Sequence, residues 1–341
     1  MLRNLKSTVA ALALSALLPT VATAQTVLTM SSWVPPSHSL SVTLAAWGAE
    51  IEKATNGRVK FQMLPKAPAA APGTFDAVKD GLVDVSYVTA SYLPARHSLP
   101  KLPELPGGGA TAEINSVAYW RIHEKFLAKA GEYKGVKLIG VFTHGPGQMF
   151  NTKKPIDSVD DLAGMKIRTG GGVAEEMARA LGASAFVKPA PESYELLSSG
   201  VADGTFFPLE SIVSFKLDKV VKYATIFPGG FYGSAFGFFM NEDKFNKLSK
   251  QDQDAIMSIS GEKLARMFGK SWDAADAKGL EVMKAAGVQI LPATPALVAG
   301  VKQRAAVLEQ EWVKAANAKG VDGAKVLVEF REEVKRVAAG K

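Results

Sequence analysis

The chain has 341 residues, no cysteine and a formal net charge of +7, with 47% hydrophobic and 21% charged residues. The absence of cysteine excludes disulfides and thiolate metal sites, so burial of apolar surface must hold the fold together. The positive excess is spread along the chain without a block of like charges, which argues against nucleic-acid binding and leaves a weak attraction for anionic ligands.

The first 24 residues have the pattern of a signal peptide. Arg3 and Lys6 precede an apolar run from Val9 to Leu18, and the small residues Ala22 to Ala24 precede Gln25, where cleavage is predicted. The run is too short to cross a bilayer comfortably, which disfavours an N-terminal anchor and predicts no stable membrane insertion. We therefore expect an exported protein, whose formal charge falls from +7 to +5 when the two basic residues are removed.

The predicted mature chain starts with alternating strand and helix patterns, which favour a parallel sheet covered by helices. The apolar face of the first helix carries Leu40, Leu44, Trp47 and Ile51 at helical spacing. The predicted elements are a strand at Val27–Trp33, a helix at Leu40–Ala54, a strand at Val59–Leu64, a helix at Phe75–Lys79 and a strand at Val83–Val88.

After a loop rich in proline and glycine at 100–109, the same rhythm returns and predicts a second α/β lobe. The further predicted elements are a helix at Ala112–Ala130, strands at Val136–Phe142 and Met165–Arg168, a helix at Val173–Leu181, a strand at Ala185–Val187, a helix at Ser193–Leu197, strands at Gly204–Phe207 and Ser234–Met240, and helices at Gln251–Lys270, Ser271–Ala286 and Pro295–Ala318. The fold class is therefore α/β with two lobes, each a mainly parallel sheet flanked by helices. Ligand groups at strand ends place the expected site in the cleft between the lobes.

Arg168 ends a predicted strand and comes just before a turn of three glycines, Gly170, Gly171 and Gly172. Glycine lets the backbone approach a ligand, the first N–H groups of the next helix are unpaired donors, and the guanidinium fork matches a carboxylate. We interpret Arg168, Gly170 and Gly171 as a binding site for an anion such as a carboxylate. The alternative is a surface arginine that only follows a strand, which in isolation is the commoner case.

Aromatic residues near the strand ends are candidates for the walls of the cleft. Phe207 ends a strand, Trp33 and Tyr87 lie at or near the ends of two earlier strands, and Phe231 follows a pair of glycines. Adjacent strand residues face opposite sides, so at least one of Phe206 and Phe207 should point away from a ligand, and we favour Phe207 as the cleft residue. Packing in the core is the alternative for each of these rings.

Three polar residues complete the candidates. His38 and His144 follow strands, where an imidazole could donate to a ligand oxygen, although a solvated loop histidine is commoner. Glu210 could hold a cation that bridges to a carboxylate, or it could stabilise the first turn of the next helix.

No motif for catalysis or for a cofactor accompanies this site. The sequence has no cysteine nucleophile and no Gly-x-Ser-x-Gly elbow, and its glycine turn lacks the spacing of a phosphate or dinucleotide loop. No cluster of histidine and carboxylates has metal-ligand spacing. We expect no cofactor, no dedicated metal site and no enzymatic activity.

Several longer motifs occur together and in a characteristic order. They are Asp160 to Arg168, Ala183 to Tyr194, Leu197 to Gly204 with Pro208, and Met240-Asn241 leading into Phe245 to Leu248. With these motifs the chain resembles the periplasmic solute-binding proteins of tripartite ATP-independent (TRAP) transporters over nearly its whole mature length. The resemblance implies a two-lobed fold with several crossovers between lobes and a long C-terminal helix, which closes on an organic acid and delivers it to membrane permease subunits. It also implies a monomer, in which Arg168 pairs with the ligand carboxylate.

The chain departs from the family pattern at two positions. Where many members carry a second arginine, this chain has Gln148, and where many carry asparagine before the proline of the strand-end motif, it has Phe207. Each change replaces a polar ligand contact with a weaker or apolar one. The resemblance therefore implies a monocarboxylate with an apolar or aromatic body rather than a doubly anchored sugar acid.

The expected organisation has two discontinuous lobes. Residues 25–144 with 234–272 should form the first, residues 145–233 with 273–294 the second, and 295–341 a helical region that spans both. Two rival functions fit an exported α/β protein. A hydrolase or isomerase would need a nucleophile or a general base beside the cleft, and no convincing pair is visible. A binding module that feeds a sensor instead of a permease fits the same residues.

Overall fold

The computed structural model describes residues 25–341, so the predicted signal peptide at 1–24 lies outside the described residues. The strands, numbered in chain order, are β1 (Thr26–Met30), β2 (Val59–Met63), β3 (Val85–Thr89), β4 (Val136–Thr143), β5 (Gln148–Asn151), β6 (Lys166–Thr169), β7 (Ser184–Val187), β8 (Gly204–Phe207), β9 (Tyr223–Ile226), β10 (Ala235–Asn241) and β11 (Gln289–Pro292). The helices are α1 (Ser39–Ala54), α2 (Thr74–Lys79), α3 (Ala112–Ile122), α4 (Gly172–Ala180), α5 (Ser193–Ser198), α6 (Glu210–Ser214), α7 (Glu242–Asn246), α8 (Lys250–Ser258), α9 (Glu262–Ala285), α10 (Pro295–Ala318) and α11 (Gly323–Ala338).

The strands form two mixed sheets, one in each lobe. The first sheet has the order β2-β1-β3-β10-β4, in which β1 is parallel to its neighbours and β10 is antiparallel to β3 and β4. The second has the order β11-β9-β5-β8-β6-β7, in which β5 is the antiparallel strand. The two-lobed α/β fold predicted from the sequence is confirmed, and each antiparallel strand lies next to a point where the chain changes lobe.

Helix α1 shows how the apolar pattern produces the packing of the first lobe. Leu40, Leu44, Trp47 and Ile51, which the sequence placed on one helical face, are all buried. The helix begins where the His38 imidazole accepts a hydrogen bond from the Leu40 N–H at 3.2 Å, which satisfies one unpaired amide of the first turn. The helix is thus oriented with its N-terminus, and His38, at the cleft.

The chain passes between the lobes after β4, after β9 and through α9. Helix α9 packs against α3 and β4 in the first lobe and against α6 and β11 in the second. Close approach requires glycine at both contacts, since a Cβ on Gly269 would lie 2.3 Å from the Glu113 Cα and one on Gly279 would lie 2.2 Å from the Leu209 carbonyl oxygen. This helix therefore joins the two lobes along its length.

The C-terminal helices contact both lobes. Helix α10 contacts α4 of the second lobe and the 3₁₀ turn Leu99–Glu104 of the first, and α11 packs against α3. The predicted bounds of α10, Pro295–Ala318, are those observed. The long C-terminal helix implied by the family resemblance is present.

Predicted and observed helix bounds differ most in two regions of the chain. The predicted break between Lys270 and Ser271 does not exist, because α9 runs through it, and the real break precedes α9 at Gly261, which has a φ of 62°. The predicted helix Ala112–Ala130 leaves α-helical geometry after Ile122 and continues as a π-helical turn over His123–Leu127. Both differences arise from local backbone geometry that an apolar pattern does not encode.

Candidate ligand-binding site

A cavity lies between the two lobes, and the empty space inside its outline, part of which is open to solvent, is about 490 Å³. The lining residues come from both lobes and from α9, and are Trp33, Val34, His38, Leu40, Thr89, Ser91, Tyr92, His144, Arg168, Gly170, Ala174, Ala190, Phe206, Phe207, Pro208, Ser211, Phe215, Tyr232, Ser234, Phe236 and Trp272. Six of the predicted site residues are among them, namely Arg168, Gly170, Phe207, Trp33, His38 and His144.

Arg168 lies on β6 with its side chain only 1% exposed. Its Nε donates to the Lys188 carbonyl oxygen at 2.9 Å, and its Cζ lies 4.4 Å from the centroid of the Phe207 ring. No carboxylate among residues 25–341 forms an ion pair with it. Because burial disfavours the charged form, the pKa of the guanidinium lies below its ordinary value. Arg168 is thus a desolvated cation that lacks an internal counterion.

Two tyrosines that the sequence analysis did not select flank the guanidinium. Tyr92 accepts a hydrogen bond at its hydroxyl from the Ala190 N–H at 3.0 Å, and its ring lies 5.8 Å from that of Trp33. The hydroxyls of Tyr92 and Tyr232 lie close enough to Arg168 to favour its charged form, although burial has the larger, opposite effect on its pKa. The sequence assigned Tyr92 no site role, because the position of its side chain beside Arg168 depends on the fold.

The Val173 amide, just after the glycine turn, already has a carboxylate partner. Glu104, 1% exposed, accepts from the Val173 N–H at 3.2 Å and from the Ala235 N–H at 3.1 Å. A Cβ on Gly172 would lie 2.5 Å from the Glu104 Oε2, so glycine is needed for this approach. Burial raises the pKa of Glu104 to about 7. Helix α4 is therefore capped from the first lobe, and of the predicted turn residues Gly170 lines the cavity while Gly171 does not.

Aromatic rings form much of the remaining wall. Phe207 stacks on Phe215 with centroids 5.7 Å apart, and His38 lies 5.4 Å from both Phe215 and Trp272. Phe206 also lines the cavity while packing against Phe231 at 4.8 Å, so both neighbours on β8 contribute to the wall. The cavity thus places one cation beside a largely apolar, aromatic surface.

Three predicted residues support the walls from behind without lining the cavity. Gln148 is tied to the backbone of Phe227, whose N–H donates to Oε1 at 2.7 Å and whose carbonyl accepts from Nε2 at 3.3 Å. Tyr87 accepts at its carbonyl from the Trp33 indole N–H at 2.9 Å and so orients that ring. Phe231 fills the space between Phe206 and Phe227.

Glu210 belongs to a buried polar group beside the cavity. It lies in the first turn of α6, its Oε1 is 3.3 Å from the His38 Nδ1, and its N–H donates to the Asp276 Oδ1 at 2.7 Å. Burial raises the pKa of Glu210 to about 7 and that of Asp276 to about 8, and lowers the pKa of His38 to about 3. His38 is therefore neutral, and the group connects α1, α6 and α9 across the cleft.

Neither a metal-binding cluster nor a membrane-crossing helix is found in the described part of the chain. Residues 25–341 contain no group of three or more histidine, aspartate or glutamate side chains that could hold a metal ion. None of the helices in the same range combines the length and apolar character that a bilayer crossing requires.

Residues 30–316 match the family described as bacterial extracellular solute-binding protein, family 7. The chain is 31% identical to the outer membrane transporter protein TsaT of Comamonas testosteroni, over 97% of this chain and 98% of that protein.

Solved structures show the same fold. A TRAP periplasmic solute-binding protein from Bordetella bronchiseptica with bound (R)-mandelate and (S)-mandelate is 50% identical and has a TM-score of 0.89, covering 92% of this chain and 99% of that one. A TRAP solute-binding protein from a marine metagenome, specific for aromatic acids and crystallised with 3-hydroxybenzoate, is 30% identical with a TM-score of 0.86 and the same coverage of 92% and 99%.

Proposed function

The chain belongs to family 7 of the bacterial extracellular solute-binding proteins, the periplasmic receptors of TRAP transporters, and we propose that its ligand is an aromatic monocarboxylic acid. As a member of this family it binds an organic acid in the periplasm for delivery to a membrane permease. The family is one of transport proteins and not of enzymes.

The observation that carries the proposal is the missing counterion of Arg168. A buried cation is costly unless it is paired, and a ligand carboxylate supplies both the opposite charge and acceptors for the guanidinium N–H groups. The Phe207 ring at 4.4 Å covers one face of the guanidinium, and Nε and Nη2 donate to the Lys188 carbonyl oxygen, which leaves the remaining N–H groups for the ligand. Arg168 is therefore the carboxylate anchor of the cavity.

The surroundings of Arg168 favour one carboxylate and an apolar body. No other arginine or lysine lines the described cavity, so a second carboxylate would be buried without a partner. Phe206, Phe207, Phe215 and Phe236 offer ring faces and edges to an aryl group instead of donors to a row of hydroxyls. The mandelate and 3-hydroxybenzoate bound by the two related proteins are acids of this class.

Binding is coupled to closure of the lobes in this proposal. Residues 25–144 with 234–272 move against residues 145–233 with 273–294, with 295–341 spanning both, and the ligand is enclosed between Arg168 and the aromatic walls. The protein acts as a monomer and leaves the acid chemically unchanged. The buried group of His38, Glu210 and Asp276 serves the interface between α1, α6 and α9.

A ligand panel tests the proposal. Benzoate, phenylacetate and mandelate should raise the melting temperature of the purified protein more than succinate or galacturonate, because a ligand that binds only the folded state stabilises it by mass action. Tightest binding of the dicarboxylate or of the sugar acid would overturn the assignment. Product formation from a bound acid, followed by NMR, would favour the rival hydrolase or isomerase.

A further inference from the structure

Trp272, a residue of the cavity wall, carries an indole N–H without a partner in the described part of the chain. It lies in the middle of α9, is 3% exposed and lines the cavity. Its indole Nε1 has no hydrogen-bond partner within residues 25–341, whereas Trp33 and Trp312 donate to carbonyl oxygens at 2.9 and 3.1 Å. A buried donor without a partner is costly, so at a ligand cavity it indicates a ligand acceptor.

His144 provides the complementary acceptor next to Trp272. Its ring centroid lies 5.9 Å from that of Trp272, and its Nδ1 faces the carbonyl oxygen of Gly145. A carbonyl can only accept, so the proton of the imidazole is on Nδ1. Burial lowers the pKa of His144 to about 4, which keeps the ring neutral and leaves a lone pair on Nε2. The hydrogen bond found for this side chain involves Nδ1, so Nε2 is available to a ligand.

One ligand group satisfies both partners at once. A hydroxyl accepts from an indole N–H and donates to an imidazole lone pair, whereas a C–H group does neither and a ketone can only accept. We propose that Trp272 and His144 form a hydroxyl-binding subsite, so that the preferred ligand is an aromatic monocarboxylic acid that carries a hydroxyl group. This inference rests on the proposed function, with the carboxylate at Arg168 and the hydroxyl at the α9 side of the cavity.

Trp47 provides a matched control for this subsite. Trp47 also has an unpartnered indole N–H, but its ring packs between Phe61 and Phe238, at 5.1 and 4.9 Å, and it does not line the cavity. Replacing each tryptophan by phenylalanine removes one buried N–H in both cases. Only Trp272→Phe should alter the choice between ligands.

Calorimetric titration of the whole protein tests the subsite. Mandelate and 3-hydroxyphenylacetate, with the hydroxyl next to the carboxylate or on the ring, are each compared with phenylacetate. In the wild type at least one hydroxylated acid should bind about 10-fold more tightly than phenylacetate. In Trp272→Phe that ratio should fall to about 1–3, with His144→Phe giving the same loss and Trp47→Phe leaving the ratio unchanged.

The outcomes separate this inference from the proposed function. If phenylacetate binds but neither hydroxylated acid is preferred, or if the preference survives in Trp272→Phe and His144→Phe, the subsite is refuted and the aromatic-acid receptor stands. If no aromatic acid binds the wild type, both proposals are wrong. Phenylglyoxylate, whose ketone pairs with Trp272 but faces the His144 lone pair, should bind more weakly than mandelate.

Discussion

Arg168 and the N-terminus of α4 lie a few residues apart, and both are suited to hold a negative charge. The helix terminus is already occupied by Glu104, which reaches it from the first lobe with 3.2 Å between Oε2 and the Val173 nitrogen. Arg168, equally buried, has a carbonyl, an aromatic ring and two tyrosine hydroxyls around it but no carboxylate partner within residues 25–341. Local chemistry makes both groups anion sites, but only the one without an internal partner is left for a ligand.

The largest expected effect comes from removing the unpaired cation. Arg168→Ala should weaken binding of an aromatic monocarboxylate by more than about 100-fold, since breaking a buried charge pair costs about 3–5 kcal/mol. Calorimetric titration measures the change. Arg179→Ala, which removes an exposed arginine from α4, is the matched control and should bind like the wild type.

Arg168 should lower the stability of the ligand-free protein, although it strengthens ligand binding. Arg168→Met replaces a desolvated cation by an apolar side chain of similar length, so the melting temperature of the ligand-free protein should be maintained or raised. Ligand should then no longer raise it. If Arg168→Ala bound the aromatic acid within a few-fold of the wild-type affinity, Arg168 would not be the anion site that is left for the ligand.

Changing Glu104 tests whether this side chain occupies the N-terminus of α4 and stabilises the fold there. Glutamine has one acceptor oxygen, so Glu104→Gln can satisfy only one of the Val173 and Ala235 N–H groups and turns an NH₂ toward the other. The free energy of unfolding should fall by about 1–3 kcal/mol in urea denaturation. The exposed Glu195→Gln should change it by less than about 0.5 kcal/mol. Unchanged stability together with lost ligand binding would assign the α4 terminus to the ligand instead.

The pKa of Glu104 gives this variant a pH dependence of known sign. Because burial raises the pKa to about 7, from an ordinary value of 4.5, the folded state holds the proton more tightly than the unfolded state. The stabilisation from this group is complete below pH 4.5 and is lost as the pH rises through 7. Glu104→Gln should therefore cost more stability at pH 5 than at pH 8. An equal cost at both pH values would show that Glu104 titrates normally.

Phe207 is expected to have a smaller effect on ligand affinity than Arg168. Phe207→Asn, which restores the polar residue usual in the family, removes the ring under the guanidinium and should weaken aromatic-acid binding about 2- to 30-fold, corresponding to about 0.5–2 kcal/mol. Phe207→Leu keeps an apolar wall without the aromatic face and separates the two contributions. Tighter binding of an aromatic acid by Phe207→Asn would show that the ring does not face the ligand.

The smallest effect on affinity should come from Gln148. Its amide is paired with the Phe227 backbone, so Gln148→Ala should reduce the free energy of unfolding by about 1–2 kcal/mol while ligand affinity stays within about 3-fold. Denaturation and titration of the same sample measure both quantities. A loss of affinity beyond about 10-fold at unchanged stability would return Gln148 to the ligand-contact role that the sequence predicted.

Much of the fold could be predicted because its signals are local. The periodicity of Leu40, Leu44, Trp47 and Ile51 predicted the buried face of α1, and Pro295 at the start of α10 marked a helix whose bounds are those observed. The short strands β5, β9 and β11 were not predicted, because four residues carry little periodicity. The equally short β6, β7 and β8 were predicted because they fall within the alternation of strands and helices between Met165 and Phe207.

The sequence predicted those site residues that lie in a recognisable motif. Arg168, Gly170 and Phe207 follow from the strand ends and the family pattern, and all three line the cavity. Trp272 was missed because it looks like any apolar position of a long helix. It reaches the cavity only because α9 crosses from one lobe to the other. Tyr92 belongs to the first lobe and reaches the site because the fold brings it next to Arg168 of the second lobe.

The sequence by itself determined the two α/β lobes, the family and the anion-binding character of the stretch from Lys166 to Gly172, since these depend on residue type and spacing. Only the tertiary structure decided which of the anion-binding groups is free. Hydrogen-bond partners far apart in sequence, such as Glu104 with Val173 or Gln148 with Phe227, satisfy buried polar groups that look available in the chain. A polar group has a ligand-binding role only when folding leaves it without such a partner.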